Sequence, residues 1–221
     1  MYDDAIVYIV DDEPTALEAV AALIGVMGLT SKTYRSAEDF LAAYDGHRPG
    51  CLVTDVRMLG MSGIELQERL AREGITLSVI VLTAYPDTQT TVRAMKGGAV
   101  TLLEKPCRDQ ELWDAIRAAL AHDVAQSRRE ERLREIRRRL ETLTPAEASV
   151  LERIVQGDSN KAMARRLGVS VRTIEVRRQR IFHKLASESV AELVRMYLEA
   201  HPDDAAADLC GNPHGPCGNC D

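Results

Sequence analysis

Five short runs of apolar or β-branched residues punctuate the first 120 positions, and a stretch of helical periodicity follows each one. Residues 6–10 (IVYIV), 30–34 (TSKTY), 51–55 (CLVTD), 78–83 (SVIVLT) and 100–103 (VTLL) read as strands. The patterns at 13–27, 36–45, 64–72, 88–96 and 109–120 read as helices; the first puts Leu17, Val20, Leu23 and Ile24 on one face, and the second has Ser36 as its N-cap. Strand and helix alternating five times over predicts an α/β fold, a parallel sheet with helices on both faces. In sheets of that kind, ligands gather at the carboxyl ends of the strands.

Past residue 120 the pattern turns wholly helical. Seven Arg and three Glu stand between Ser127 and Arg139, yet Leu133, Ile136, Leu140 and Leu143 recur at spacings of three, four and three. Such a stripe suits a solvated linker helix or a dimerising coiled coil equally well. Thr144, Pro145 and Glu147 form a capping box ahead of a helix to about 155, stopped by Gly157. Ser159 or Asn160 opens a second helix that Gly168 ends, and Ser170 opens a third through 185. Ser189 precedes a fourth, striped by Val190, Leu193, Val194 and Tyr197. Four short helices, two of them joined by a tight turn, suggest a helix-turn-helix module. The expected organisation is therefore a first domain at 1–121, a helical linker at 122–141, the helical module at 142–201 and a tail at 202–221.

The net charge of −6 is unevenly spread, because residues 121–200 carry 17 Lys and Arg against 12 Asp and Glu. A basic segment inside an acidic chain is where a polyanion would be sought, although a solvated helix face has the same composition.

The first domain concentrates acid at its strand ends: Asp11 and Asp12 follow strand one, and Asp55 closes strand three. With strands one and three adjacent, these carboxylates converge and repel unless a cation neutralises them. A hard divalent ion with oxygen ligands, Mg²⁺ above all, fits. Thr83 ends strand four with a hydroxyl, and Lys105 follows strand five with an ammonium ahead of Pro106. A metal, an amine and a hydroxyl around one carboxylate are what phosphoryl transfer to that carboxylate needs.

The segments VDDEP (10–14), TDVRMLGMSG (54–63), VLTA (81–84) and LEKP (103–106) resemble the receiver domain of two-component response regulators over about residues 4–121. That resemblance implies a flavodoxin-like, doubly wound five-stranded sheet. It implies Asp55 as phosphoacceptor, Asp11 and Asp12 as metal-site acids, the backbone carbonyl of Arg57 as a further ligand, and Thr83 and Lys105 as the switch hydroxyl and lysine, with Ala84 beside them. Two positions depart from the family: Leu59 stands where proline is usual, which should loosen the loop after Asp55, and Leu102 stands where an aromatic is usual. Coupling from phosphorylation to output is then expected to be weaker, or to run through Tyr85.

The helical module shows LTPAE, QGDSNKAMA, LGVSVRTIE and HKL, and over about residues 142–200 it resembles the LuxR-type helix-turn-helix of the NarL/FixJ regulators. On the third helix Ile174, Ile181 and Leu185 fall on the core face, and Arg172, Thr173, Glu175, Val176, Arg178 and Gln179 on the other. A recognition helix reads base edges with its N-terminal half. Glu175 suits cytosine, Gln179 adenine, Val176 a thymine methyl and Arg178 guanine. Lys161 and Arg172 suit phosphates, and Lys184 adds a basic group. In this family the fourth helix dimerises on DNA; its stripe could equally pack on the module's own core.

The tail holds Cys210, His214, Cys217 and Cys220 within CGNPHGPCGNC. That set is compatible with a Zn²⁺ or Fe–S site or a redox sensor, although its ligands span only eleven residues with no obvious supporting fold, and incidental thiols on a flexible tail are the simpler reading. No uncharged stretch approaches the roughly 18 apolar residues that span a bilayer. The opening residues lack a basic n-region, and five cysteines this unevenly spread do not make a disulfide scaffold, so cytoplasm is expected. Taken together, the chain is expected to be no enzyme beyond its own Mg²⁺-dependent aspartyl phosphorylation and dephosphorylation. A sensor histidine kinase, a double-stranded DNA operator and a second copy on activation are its expected partners, with no membrane among them. The alternative is a phosphorylation-independent DNA-binding regulator whose input is metal or oxidation at the tail.

Overall fold

The computed structural model describes residues 4–202, and the chain divides between Arg129 and Glu130 into two compact units. The first unit is built on strands β1 (Ile6–Val10), β2 (Thr30–Tyr34), β3 (Gly50–Asp55), β4 (Ser78–Thr83) and β5 (Thr101–Glu104). They form one sheet in the order β2-β1-β3-β4-β5, and every neighbouring pair is parallel. Helices α1 (Pro14–Val26), α2 (Ala37–Ala43), α3 (Gly63–Arg72), α4 (Thr88–Lys96) and α5 (Asp109–Glu141) supply the crossovers and the cover.

Every residue of β3 and β4 is buried, which is why these strands read as unbroken apolar runs rather than alternating ones. Their side chains still alternate between two cores. Val7, Ile9, Val53 and Ile80 pack with Leu17 and Ile24 of α1 and with Leu112, Ile116 and Leu120 of α5. Tyr8, Val10, Leu52 and Val81 pack on the opposite face with Phe40 of α2, Leu66 and Leu70 of α3 and Ala94 of α4. The strand order reverses between β1 and β3, where Val10 pairs with Thr54. The residues just past that pair, Asp11 and Asp55, are thereby set side by side at the carboxyl edge.

The sequence pattern ends the fifth helix near Leu120, whereas α5 continues unbroken for 33 residues. No Gly or Pro lies between 109 and 141, and Ala, Glu and Arg dominate, so nothing stops the helix. One buried group on it escaped the sequence reading. The side chain of Asp123 is fully enclosed, where it accepts from Arg48 Nη2 at 2.9 Å, Arg48 Nε at 3.2 Å and Gly50 N at 3.0 Å.

The second unit comprises the end of α5 with α6 (Pro145–Val155), α7 (Asn160–Leu167), α8 (Val171–Leu185) and α9 (Val190–Ala200). Ser159, Ser170 and Ser189 each cap a helix by accepting an N–H three residues on, and Thr144 with Glu147 makes the full capping box. Ile136 is buried with Val150, Leu151, Ile154, Met163, Ile174, Ile181, Leu185, Leu193 and Met196, and Leu140 and Leu143 pack against them. Most of the stripe that could have made a coiled coil is therefore spent on this unit's own core. The α9 stripe divides likewise: Leu193 is buried and Tyr197 packs inward, while Val190 stays exposed. Among the described residues no helix is long and apolar enough to cross a membrane.

Candidate functional site

At the carboxyl edge of the sheet, one ammonium joins the two most enclosed carboxylates. Lys105 Nζ lies 2.6 Å from Asp11 Oδ2 and 2.6 Å from Asp55 Oδ1. Burial works against the charge on Lys105, but its hydrogen bonds to Asp11 and Asp55 outweigh that, and its pKa is held above the usual lysine value. Backbone N–H groups complete the cradle. Asp11 Oδ1 accepts from Glu13 N at 2.9 Å, and Asp55 Oδ2 from Arg57 N at 2.6 Å.

Asp12 points to the neighbouring loop, its Oδ2 accepting from Leu59 N at 3.0 Å. The sequence predicts that replacing proline by Leu59 loosens this loop. In the structure Leu59 is exposed, but it supplies an N–H that proline lacks, and Asp12 takes it. Glu38 at the start of α2 ties the same loop by accepting from Met61 N at 3.2 Å.

A residue whose role the sequence reading missed is Gly63, the first of α3. A Cβ there would lie 2.1 Å from the Asp55 carbonyl oxygen and 2.8 Å from Thr54 Oγ1, so only glycine lets α3 close on the end of β3. Thr83 is buried, and its Oγ1 accepts from Tyr85 N at 3.2 Å. Ala84 is exposed. Tyr85 turns outward, with the Arg57 guanidinium 5.2 Å from its ring centroid, and Leu102 packs into the core beneath. The pocket thus brings Asp11, Asp55 and Lys105 into direct contact, while Asp12 and Tyr85 face its rim.

Among the described residues no group of three or more His, Cys, Asp or Glu stands ready-made around a metal ion. The donor chemistry nevertheless fits a hard cation. Three carboxylates offset by one ammonium leave negative charge on oxygen ligands, which is what Mg²⁺ takes together with its waters. Cys210, His214, Cys217 and Cys220 of the expected tail site lie outside the described residues.

In the second unit, α8 buries Ile174, Ile181 and Leu185 as its pattern requires. Arg172, Glu175, Val176 and Gln179 are exposed, Thr173 and Arg178 are partly so, and Lys161 of α7 is exposed. Thr173 is engaged in the Ser170 cap, which accepts its N–H at 3.1 Å. Lys184, expected among the basic groups, is partly exposed and donates to Glu147 Oε2 at 2.7 Å and to the Thr142 carbonyl at 2.8 Å. A buried carboxylate demands a cation, and Lys184 is the one in reach. The Lys184 hydrogen bond first, and the Thr144 backbone N–H next, bring the Glu147 pKa down to about 2.

Comparison with known proteins agrees with both halves. Residues 7–117 match the response regulator receiver domain model, and residues 141–197 match the model of bacterial regulatory proteins of the luxR family. The transcriptional regulatory protein FixJ of Azorhizobium caulinodans is 41% identical over 88% of this chain and 92% of its own length. The transcriptional regulatory protein TdiR of Thauera aromatica is 38% identical over 87% of this chain and 85% of its own. Among solved structures, the response regulator StyR superposes with a TM-score of 0.76 at 36% identity, covering 87% of this chain and 98% of that one. The chain belongs to the two-component response regulators that join a receiver domain to a LuxR-type DNA-binding domain, and it is a transcription regulator of that family.

Proposed function

We propose that Asp55 is the phosphoacceptor and that the receiver itself catalyses the transfer from the phosphohistidine of its sensor kinase. The observation that carries this assignment is the Lys105 ammonium, 2.6 Å from both Asp11 and Asp55 at the carboxyl edge of the sheet. In the transfer the N–P bond of the donor breaks as an Asp55 oxygen bonds to phosphorus, and the electron pair leaves with the imidazole. Attack of water on the aspartyl phosphate later returns the carboxylate and releases inorganic phosphate. Lys105 balances charge on the phosphoryl oxygens, and the Thr83 hydroxyl hydrogen-bonds one of them after transfer. Asp11, Asp12, Asp55 and the Arg57 carbonyl would hold Mg²⁺, which when bound neutralises the same oxygens.

The output follows from the second unit. The exposed face of α8, with Glu175, Val176, Arg178 and Gln179, reads base edges, and Lys161 and Arg172 hold phosphates. Two copies, paired on activation, bind an operator whose half-sites lie about one helical turn apart. The domain extents in this scheme are 1–121 for the receiver, 122–141 for the linker and 142–201 for the DNA-binding module, and the compartment is the cytoplasm.

Incubating the full chain with acetyl phosphate and Mg²⁺ tests the assignment. Intact-mass analysis should show one added phosphoryl group on the wild type and none on Asp55→Asn. An equal gain on both would move the phosphoacceptor elsewhere. Light scattering with beryllofluoride should show a dimer for the wild type alone.

A further inference from the structure

We propose that Glu38, on α2 and outside the phosphorylation pocket, is a positioning residue for the Mg²⁺ site: it pins the loop after β3, and the loop in turn sets the Asp12 carboxylate. This rests on the reading that Asp11, Asp12 and Asp55 hold the metal.

The loop between β3 and α3 gives its backbone N–H groups to carboxylates. Arg57 N donates to Asp55 Oδ2 at 2.6 Å and Leu59 N to Asp12 Oδ2 at 3.0 Å, so one short segment holds two of the pocket acids. Two residues on, Met61 N donates to Glu38 Oε1 at 3.2 Å, and Ser62 N then donates to Glu65 Oε2 at 2.8 Å. Glu65 belongs to the local capping box that starts α3. Glu38 comes from 23 residues away and ties the loop to a different helix.

The Glu38 carboxylate also rests on the turn of that loop. Gly60 has a φ of 81°, and a Cβ there would stand 3.2 Å from Glu38 Oε1 and 3.6 Å from its Cδ. One acid therefore places two consecutive residues, just past the N–H that Asp12 accepts. Glu38 and Asp39 both stand in the first turn of α2, where any acid suits the positive helix end. What singles out Glu38 is that its carboxylate reaches the loop.

Asp12 is the pocket acid that depends on this arrangement. Lys105 holds Asp11 and Asp55 directly, whereas the Asp12 carboxylate takes its hydrogen bond from Leu59 N. Asp12 is partly exposed, so without that bond its side chain would turn in solvent and need ordering before it bound a cation. Hydrogen-bonded partners behind a metal's carboxylate ligands orient them in this way. The Leu59 side chain is 83% exposed, so what position 59 contributes is its N–H, held in place by Glu38.

The test titrates Mg²⁺ into ¹⁵N-labelled full-length wild type, Glu38→Ala, Glu38→Gln and Leu59→Pro, reading dissociation constants from the amide shifts of residues 11–13 and 55–61. Leu59→Pro deletes the donor and should weaken Mg²⁺ about ten-fold, the lower end of what such outer partners are worth. Glu38→Ala acts one step further out and should weaken it about five-fold. Glu38→Gln keeps an oxygen that can accept from Met61 N, and should bind Mg²⁺ as the wild type does. In the Leu59→Pro background Glu38→Ala should add nothing, because the path it acts through is already cut. Equal weakening by Glu38→Ala and Glu38→Gln would show that the carboxylate acts by charge alone and would overturn the proposal. A Glu38→Ala constant equal to that of the wild type would overturn it too, and would leave the metal reading standing. A wild type that takes up no Mg²⁺ would instead remove the metal reading itself. Glu38 is exposed, so its two variants decide the matter even if Leu59→Pro fails to fold.

Discussion

The Lys105 ammonium stands 2.6 Å from the Asp55 carboxylate, and 2.6 Å on its other side is Asp11. One cation thus compensates two carboxylates from different strands. Removing it by Lys105→Met keeps the stem's apolar packing but leaves both carboxylates facing each other. Phosphoryl transfer from acetyl phosphate to Asp55 should slow by about 10²–10³-fold, the usual loss when one preorganised charge-stabilising group is deleted. Rates of phosphoprotein formation at saturating Mg²⁺ check this. A fall of less than ten-fold would mean that Lys105 serves the fold rather than the transfer.

Gly63 should be intolerant of even one methyl group. Its Cβ would fall 2.1 Å from the Asp55 carbonyl oxygen, and that contact is with backbone, which cannot swing aside. Gly63→Ala should therefore push α3 off the end of β3 and cost about 1–3 kcal/mol of receiver stability, in the range of overpacking. It should slow phosphorylation too, since Arg57 N and Asp55 Oδ2 share that loop. Gly74→Ala is the contrasting control: unlike Gly63 it has a positive φ, of 71°, which alanine strains, but it meets nothing within 4 Å, so its cost should leave the phosphorylation rate unchanged.

Much of this was legible in the sequence because the signals were local. Ser36, Thr144, Ser170 and Ser189 act as the caps that their neighbours predict, since a cap is set by residues three apart. The convergence of Asp11, Asp55 and Lys105 was legible because the resemblance to receiver domains implies that strands one and three are neighbours, which alternation by itself does not fix. The Lys184–Glu147 ion pair was not legible because Glu147 is 37 residues away on another helix, and composition cannot pair residues so far apart. Asp123 was passed over for the same reason: its partners Arg48 and Gly50 lie more than 70 residues off. The sequence pattern makes 109–120 and 122–141 separate helical segments, and the domain boundary expected between them is bridged by one helix that no residue stops.

The Arg48–Asp123 pair makes a stability prediction for the receiver. Asp123 is wholly buried and satisfied by a guanidinium and a backbone N–H. Asp123→Ala strands the mostly buried Arg48 charge and the Gly50 N–H together, and should cost about 3–5 kcal/mol. Arg48→Met should cost a similar amount by leaving the carboxylate unpaired. The double substitution should recover part of both losses, and a denaturant double-mutant cycle would reveal that non-additivity.

The second unit should lose stability in acid through Glu147. Its pKa in the folded state is about 2, below the carboxylate's value in an unfolded chain, so folding favours the ionised form. The stabilisation is complete above the unfolded value of about 4.5, and it drains away as pH falls from there toward 2. Lys184→Met should remove most of this acid sensitivity along with the ion pair. Urea midpoints between pH 2 and 6 on wild type and variant should therefore converge at the acid end. Parallel curves would show that other carboxylates dominate.

The same lysine separates fold from recognition when it is compared with Lys161. Both are basic groups of the DNA-binding module, but Lys161 is exposed whereas Lys184 is tied to Glu147 and Thr142. A phosphate contact releases counterions, so its loss lowers the salt dependence of binding by about one unit of slope, whatever the sequence. Lys161→Ala should therefore weaken operator and non-operator DNA alike, reduce that slope, and leave the melting temperature where it was. Lys184→Met should do the reverse, lowering the melting temperature while the slope stays fixed for the fraction still folded. Arg178→Ala should differ from both, costing about 1–3 kcal/mol at one operator position and little on random DNA, because a base-edge contact carries discrimination. Fluorescence anisotropy over a range of salt concentrations, paired with thermal melts of the same three proteins, separates these roles. A slope that changed with Lys184→Met but not with Lys161→Ala would overturn the assignment of the outward face.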